Sequence, residues 1–208
     1  MIYIAVSIIV AYLLGAIPTA YIFGRALKGI DIREHGSGNV GATNVARTVG
    51  KVPGIIVFII DFSKGTIAVT LIPAVLRRFI PGLAESYGFV YILLGAAAIS
   101  GHIWTCFLRF RGGKGVATTA GVMAGLSPWI FLSCLGIWII VFAIWKYVSL
   151  ASIIAATALP ILALATGKKM SFIIFCAVLC LVGVYVHRAN IKRLIQGTES
   201  KIIKAKKS

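Results

Sequence analysis

Acidic residues are scarce. The 208-residue chain carries 5 Asp and Glu against 21 Lys and Arg, a formal net charge of +16. Five scattered acids cannot build the acid-rich metal motif of CDP-alcohol transferases, and no His and carboxylate cluster has zinc-ligand character. No metal and no cofactor is expected. Charge of either sign is scarce too, at 12% of residues, where a soluble domain has roughly 25%. The remainder is oily, 60% hydrophobic, which favours a polytopic membrane protein over soluble domains. The four cysteines, Cys106, Cys134, Cys176 and Cys180, form no Cys-x-x-Cys pair and sit in apolar stretches. They read as reduced structural thiols. No His-x4-Asp acyltransferase box follows His35, His102 or His187, and no Gly-x-Ser-x-Gly elbow is present. An enzyme built from this chain has no familiar nucleophile.

What the chain has is long apolar runs. A span needs about 20 apolar residues. Spans are expected near 2–24, 52–76, 88–108, 116–127, 129–145, 148–166 and 170–187. The N-terminal run has no charged region before it and reads as a first span, not a removed signal peptide. The segment 116–127 is short, rich in small residues and ends at Pro128, so a broken or half-buried helix is the alternative there. Gly and Ala through 88–101 and 115–125 permit close helix approach. The fold class expected is an all-α integral membrane bundle of about seven transmembrane helices, one polytopic domain over 1–208.

The cations fall between the runs. Arg25, Lys28, Arg33, Arg47 and Lys51 lie after the first run, Arg109, Arg111 and Lys114 after the third, and Lys146 after the fifth. Arg188, Lys192, Arg193, Lys201, Lys204, Lys206 and Lys207 fill the tail. The opposite loops hold only Arg77, Arg78, Lys168 and Lys169. The cation-rich side is expected to be cytoplasmic, with the N-terminus outside and the C-terminus inside. This placement speaks against nucleic acid and for positive-inside loops and an anionic substrate. The tail over 187–208, with Ile191, Leu194 and Ile195 at helical spacing between cations, reads as a basic interfacial helix.

Three polar clusters stand out: Gly36 to Arg47 (GSGNVGATNVAR), Arg109 to Gly115 (RFRGGKG) and His187 to Glu199 (HRANIKRLIQGTE). Gly36, Gly38 and Gly41 match G-x-G-x-x-G, but neither a strand before them nor a strand-helix alternation after them supports a dinucleotide fold. Thr43, Asn44 and Arg47 share a helical face, which joins a hydroxyl, an amide and a guanidinium. Gly112, Gly113, Lys114 and Gly115 open a helix, where backbone N–H groups and the helix dipole favour an anion. The second loop is not a Walker A loop, because Gly115 stands where Ser or Thr is required. His187 and Asn190 lie three apart. His102 is the other imidazole candidate, and His35 reads as loop. Asp61 and Lys64, spaced i, i+3 inside a span, are candidates by their cost alone. A functional pair, a structural brace and a helix break at Gly65 are the three readings.

The stretches SGNVGATNVAR, DFSKG, GHIWTCFLRFRGGKGVAT and HRANIKRLIQGTESK, in this order and spacing, resemble the bacterial integral-membrane, acyl-phosphate-dependent glycerol-3-phosphate acyltransferases. The resemblance implies transfer of the acyl group of acyl phosphate to the primary hydroxyl of glycerol 3-phosphate, giving lysophosphatidic acid and phosphate. This is the first acylation of bacterial phospholipid synthesis, at the cytoplasmic face of the inner membrane, fed by an enzyme that makes acyl phosphate. It implies that Ser37, Arg47 and His187 are catalytic, that Asn39, Thr43, Asn44, Lys114 and Asn190 bind glycerol 3-phosphate, and that Gly38, Gly112, Gly113 and Gly115 bind acyl phosphate. It makes Asp61, Lys64 and Glu199 structural. The hydroxyl proton goes to His187 or to an oxygen of a substrate phosphate; the second fits a reaction without an enzyme nucleophile. The rival reading is a membrane transporter of a phosphorylated solute. Transporters often carry inverted repeats around a midplane site, and no repeat is visible in this chain.

Overall fold

A computed structural model of the chain describes residues 2–80 and 87–201. Lys204, Lys206 and Lys207, with the rest of 202–208, lie outside the described residues. Among those described there is no strand. The helices are α1 (Ile2–Ala16), α2 (Thr19–Lys28), α3 (Ala42–Thr48), α4 (Lys51–Phe79), α5 (Tyr87–Ile103), α6 (Val116–Leu126), α7 (Pro128–Trp145), α8 (Val148–Ala165), α9 (Met170–Val186) and α10 (Arg188–Ile195).

Among the described residues, five segments are long and apolar enough to cross a bilayer: Ile2–Lys28, Lys51–Phe79, Gly88–Leu108, Pro128–Trp145 and Val148–Ala165. Met170–Val186 joined to Arg188–Ile195 through a 59° bend makes a sixth. α6 has 11 residues, about 16 Å of helix, half the hydrocarbon thickness. The seven spans expected from hydropathy thus resolve into five or six segments of crossing length and the half-length α6. Large apolar side chains such as Ile9, Ile59, Leu71, Ile140 and Leu181 point outward and are exposed, as a lipid-facing surface requires.

Two expectations need correction. The first span is not one helix over 2–24. It breaks at Ile17–Pro18 and resumes through Lys28, because Pro18 has no N–H to donate and disfavours a helical residue before it. Arg25 and Lys28 therefore belong to the last turn of α2 rather than a loop, where cations complement the carbonyl end of the helix. The second span does not break at Gly65; α4 runs unbroken through Gly65 and Pro73.

The chain forms two compact units, Met1–Ser127 and Pro128–Ser208. Small residues set the spacing in the first. A Cβ on Gly15 would come within 2.0 Å of the Ala98 carbonyl, and one on Gly101 within 2.1 Å of the Tyr12 carbonyl, so α1 and α5 touch backbone to backbone. Gly65 meets the Thr118 carbonyl and Gly121 the Phe62 carbonyl in the same way, which draws α6 along α4. These are the small-residue stretches expected to pack closely. Beneath them Ala11, Ala68, Leu94 and Ala98 form a buried core. In the second unit α8 packs against α7 and α9. The Trp138 indole N–H donates to Ser152 Oγ at 3.1 Å across α7 and α8.

Candidate active site

At one level of the first unit, α1 breaks, α5 ends and α6 begins. The break exposes the last carbonyls of α1, which need donors because lipid supplies none. Thr105 Oγ1 donates to the Ala16 carbonyl at 2.6 Å. Lys64 Nζ, from the middle of α4, donates to the Ile17 carbonyl at 2.6 Å, to Thr19 Oγ1 at 2.5 Å and to Asp61 Oδ1 at 2.6 Å. All three ammonium protons are used, and both charged side chains are only 3% exposed. The i, i+3 pairing expected of Asp61 and Lys64 is present. The cation serves as the cap of a broken span, which favours the structural reading.

The first polar cluster is a loop held by two side chains. Asp31 accepts from the Arg33 backbone N–H and from its Nε, each at 3.0 Å, and from Nη2 at 2.6 Å. The hydrogen bonds from Arg33 hold the Asp31 carboxyl down at about 2, from an ordinary 3.8. Asn44, 1% exposed, donates to the Ile32 and His35 carbonyls at 3.0 Å, and its Oδ1 accepts from the Ser37 N–H at 2.9 Å. Both amide protons are therefore committed to the loop. Gly36 must be glycine: its φ is +62°, and a Cβ would lie 2.3 Å from Asn44 Oδ1. Gly38, at φ +69°, completes the turn that presents Ser37 to solvent. Thr43 is half-buried and Arg47 exposed on α3. Asn39 Oδ1 is buried with no hydrogen-bond partner in the protein.

The second cluster differs from its expected form. The Gly112 N–H donates to the Ile103 carbonyl at 2.9 Å and the Gly113 N–H to the His102 carbonyl at 3.0 Å. These two amides cap α5 and do not converge on an outside anion, so an N–H cradle at Gly112 and Gly113 is not formed. The glycines serve close approach instead. A Cβ on Gly112 would lie 2.1 Å from the His102 carbonyl, and one on Gly113 2.2 Å from His102 Nε2 and 2.5 Å from the Val40 carbonyl. Gly115, at φ +74°, opens α6 without a side-chain cap, which leaves the first N–H groups of α6 without intrahelical partners. Arg109 and Phe110 take left-handed φ of 53° and 59°, a strained turn. It is tied by the Phe110 N–H to the Thr105 carbonyl at 2.9 Å.

The contact of Gly113 with Val40 joins the first two clusters at the same end of this unit. A cavity of about 10 Å³ lies there, lined by Ile17, Pro18, Thr19, Val40, Asp61, His102, Thr105, Gly112 and Gly113 among others. That is the scale of one water molecule.

The third cluster belongs to the second unit. Glu199 is its hub: Oε1 accepts from Ser149 Oγ at 2.8 Å and Asn190 Nδ2 at 2.7 Å, and Oε2 from Arg193 Nε at 2.7 Å. Burial alone would raise the Glu199 carboxyl, but the donors from Asn190, Ser149 and Arg193 outweigh it and hold it below its ordinary value. His187 sits at the bend between α9 and α10, 4% exposed, with Nδ1 at 2.8 Å from the Gly183 carbonyl. That carbonyl accepts from Nδ1–H, which fixes the orientation of the ring.

Sequence reasoning missed Thr19, Thr105, Asp31 and Ser149, all structural donors or acceptors. Pro18 inside an apolar run signalled the first two. No local pattern marks Ser149, whose partner is 50 positions away.

Comparison with known proteins covers nearly all of the chain. The glycerol-3-phosphate acyltransferase family matches residues 5–197. Glycerol-3-phosphate acyltransferases of Desulforudis audaxviator and Parasynechococcus marenigrum are 48% and 45% identical, covering 92% and 93% of this chain and 91% and 87% of their own. The crystal structure of PlsY, an integral membrane glycerol 3-phosphate acyltransferase, in its glycerol 3-phosphate form superimposes with a TM-score of 0.85 at 38% identity, covering 95% of this chain and 94% of PlsY. Its lysophosphatidic acid form gives 0.81. The transporter reading finds no support among them. The chain is an integral membrane acyltransferase and belongs to the glycerol-3-phosphate acyltransferase family.

Proposed function

We propose that the enzyme moves the acyl group of an acyl phosphate to the primary hydroxyl of glycerol 3-phosphate. The hydroxyl oxygen bonds to the acyl carbon, the bond from that carbon to phosphate oxygen breaks, and the hydroxyl proton leaves on a phosphate oxygen. Lysophosphatidic acid and inorganic phosphate result. The donor is a mixed anhydride with a good leaving group, so positioning and charge neutralisation do most of the work.

The observation that carries this reading is the packing of Gly113 against Val40. It seats the loop bearing Ser37 and Asn39 beside the loop bearing Lys114, one hydroxyl-and-amide surface beside one cationic one. The unpartnered Asn39 Oδ1 is an acceptor suited to a polyol hydroxyl. Arg47, exposed on α3, can grip phosphate with two parallel bonds, and Ser37 and Thr43 add hydroxyls to the acceptor side. Lys114, which the resemblance gives to glycerol 3-phosphate, is assigned here to the donor phosphate together with the N–H groups that open α6 after Gly115. Asn44, its protons committed, positions Ser37 rather than touching substrate. Gly38 shapes the same turn. His187 is the second candidate to receive the hydroxyl proton, and Asn190 is aimed by Glu199. We place the N-terminus outside, the C-terminus and the reaction on the cytoplasmic side of the inner membrane, and an acyl-phosphate-producing enzyme upstream.

The test is lysophosphatidic acid formation from acyl phosphate and radiolabelled glycerol 3-phosphate by the detergent-purified protein. No product from acyl phosphate overturns the donor assignment. Arg47→Ala is expected to lose turnover with its melting temperature unchanged; a purified variant of near-normal activity removes Arg47 from the site.

A further inference from the structure

His102 is a buried imidazole that the reaction above does not use. Its side chain is 9% exposed, with Nδ1 3.9 Å from Asp61 Oδ1, beyond hydrogen-bond reach. The opposite edge abuts Gly113: a Cβ on that glycine would lie 2.2 Å from Nε2. The same residue holds Gly113 a second time, since its carbonyl accepts the Gly113 N–H at 3.0 Å. Behind the ring the Asp61–Lys64 pair is fixed to the Ile17 carbonyl and Thr19, which gives the imidazole a rigid backstop. In front of it Gly113 leads directly to Lys114 and to Gly115, which opens α6.

We propose that His102 is a positioning residue for acyl transfer: gripping Gly113 by ring and carbonyl, it sets where Lys114 and the opening turn of α6 meet the acyl-phosphate head. The inference rests on the reading that this loop serves the donor. A residue needed only to fill space there would be apolar and would affect both substrates through folding. A residue that sets the loop affects the donor alone.

The experiment measures KM for acyl phosphate and for glycerol 3-phosphate, with the melting temperature, for His102→Ala and His102→Gln in purified protein. His102→Ala is expected to raise the acyl-phosphate KM about tenfold. The glycerol 3-phosphate KM and the melting temperature should stay near those of the parent, and His102→Gln, which keeps a polar edge toward Gly113, should recover most of the loss. An unchanged acyl-phosphate KM, or both KM values rising together with a lower melting temperature, overturns the proposal. If His102→Ala is not recovered folded, His102→Gln decides alone: a raised acyl-phosphate KM of about two- to fivefold supports it, and none overturns it. A double-mutant cycle with Gly113→Ala adds a second readout. Effects that multiply independently mean that His102 does not act through Gly113. Failure of the donor reading itself shows separately, as a parent enzyme inactive with acyl phosphate.

Discussion

Asp61 accepts from Lys64 and Glu199 from three donors, one carboxylate in each unit, in different surroundings. Asp61 lies in the middle of α4, and its cationic partner Lys64 is as buried as itself, each 3% exposed. Glu199 follows α10; it is 6% exposed, but its cation Arg193 is 39% exposed. Lys64 also donates to the Ile17 carbonyl and the Thr19 hydroxyl, so its removal takes the charged donor from the break between α1 and α2 in a medium without water. Arg193 gives one bond to Glu199, while Ser149 and Asn190 give two more. The inner site is thus held by its cation and the outer one by its carboxylate. A buried charge in a membrane enzyme can be committed wholly to structural partners, and cost alone does not mark it as chemical.

Removing the inner cation should do the most damage. Lys64→Met leaves Asp61 without its counter-ion and takes the ammonium from the α1–α2 break, where only Thr105 and Thr19 remain as donors to the Ala16 and Ile17 carbonyls, a loss on the order of 3–5 kcal/mol, enough to lose most of the folded protein. Asp61→Asn should cost clearly less, because the amide oxygen still accepts from Lys64, which keeps both backbone-side partners. Thermal unfolding of the two variants in the same detergent checks the order. If Asp61→Asn is the more damaging, the ion pair and not the capped break is what matters there.

Glu199→Gln comes next, at about 1–3 kcal/mol. The amide oxygen can keep Ser149 and Asn190, but its NH2 then faces the Arg193 Nε–H, donor against donor. A modest fall in melting temperature, with activity near that of the parent because Asn190 keeps its acceptor, is the expected result. A Glu199→Gln protein as unstable as Lys64→Met would erase the distinction between the two hubs.

The parts of this architecture differ in how plainly they stand in the sequence. The polar clusters, the close-packing glycines and the Asp61–Lys64 spacing were legible because each is local: three or four residues on one helix face, or one apolar run. The roles of the clusters' backbone were less so. Glycines in RFRGGKG suggested N–H groups aimed at an anion, yet those of Gly112 and Gly113 turn back on α5; glycine permits a conformation without saying what its amide will meet. The resemblance makes Asn44 a ligand, whereas its amide is spent on the Ile32 and His35 carbonyls, in a stretch that reads as plain loop. Lys64 reaches the Ile17 carbonyl across 47 positions, and a contact of that separation leaves no pattern in a single sequence beyond the proline that made it necessary.

Asp31 extends the comparison to its solvated limit. Its partners Arg33 and Arg25 are 37% and 49% exposed, so water and salt screen what Lys64 feels in full. The carboxyl is nevertheless held near 2 in the folded loop against 3.8 when unconstrained. A depressed folded value means that the contribution is complete above the unconstrained value and is lost as pH falls through the folded one, so it fades between pH 3.8 and about 2. Asp31→Asn should therefore lower the melting temperature slightly and equally at pH 7 and pH 5, with the gap to the parent closing only below that. A gap that closes already between pH 7 and pH 5 would mean that Asp31 is not anchored by Arg33. No gap at any pH would mean that the loop carrying Ser37 is held by Asn44 alone.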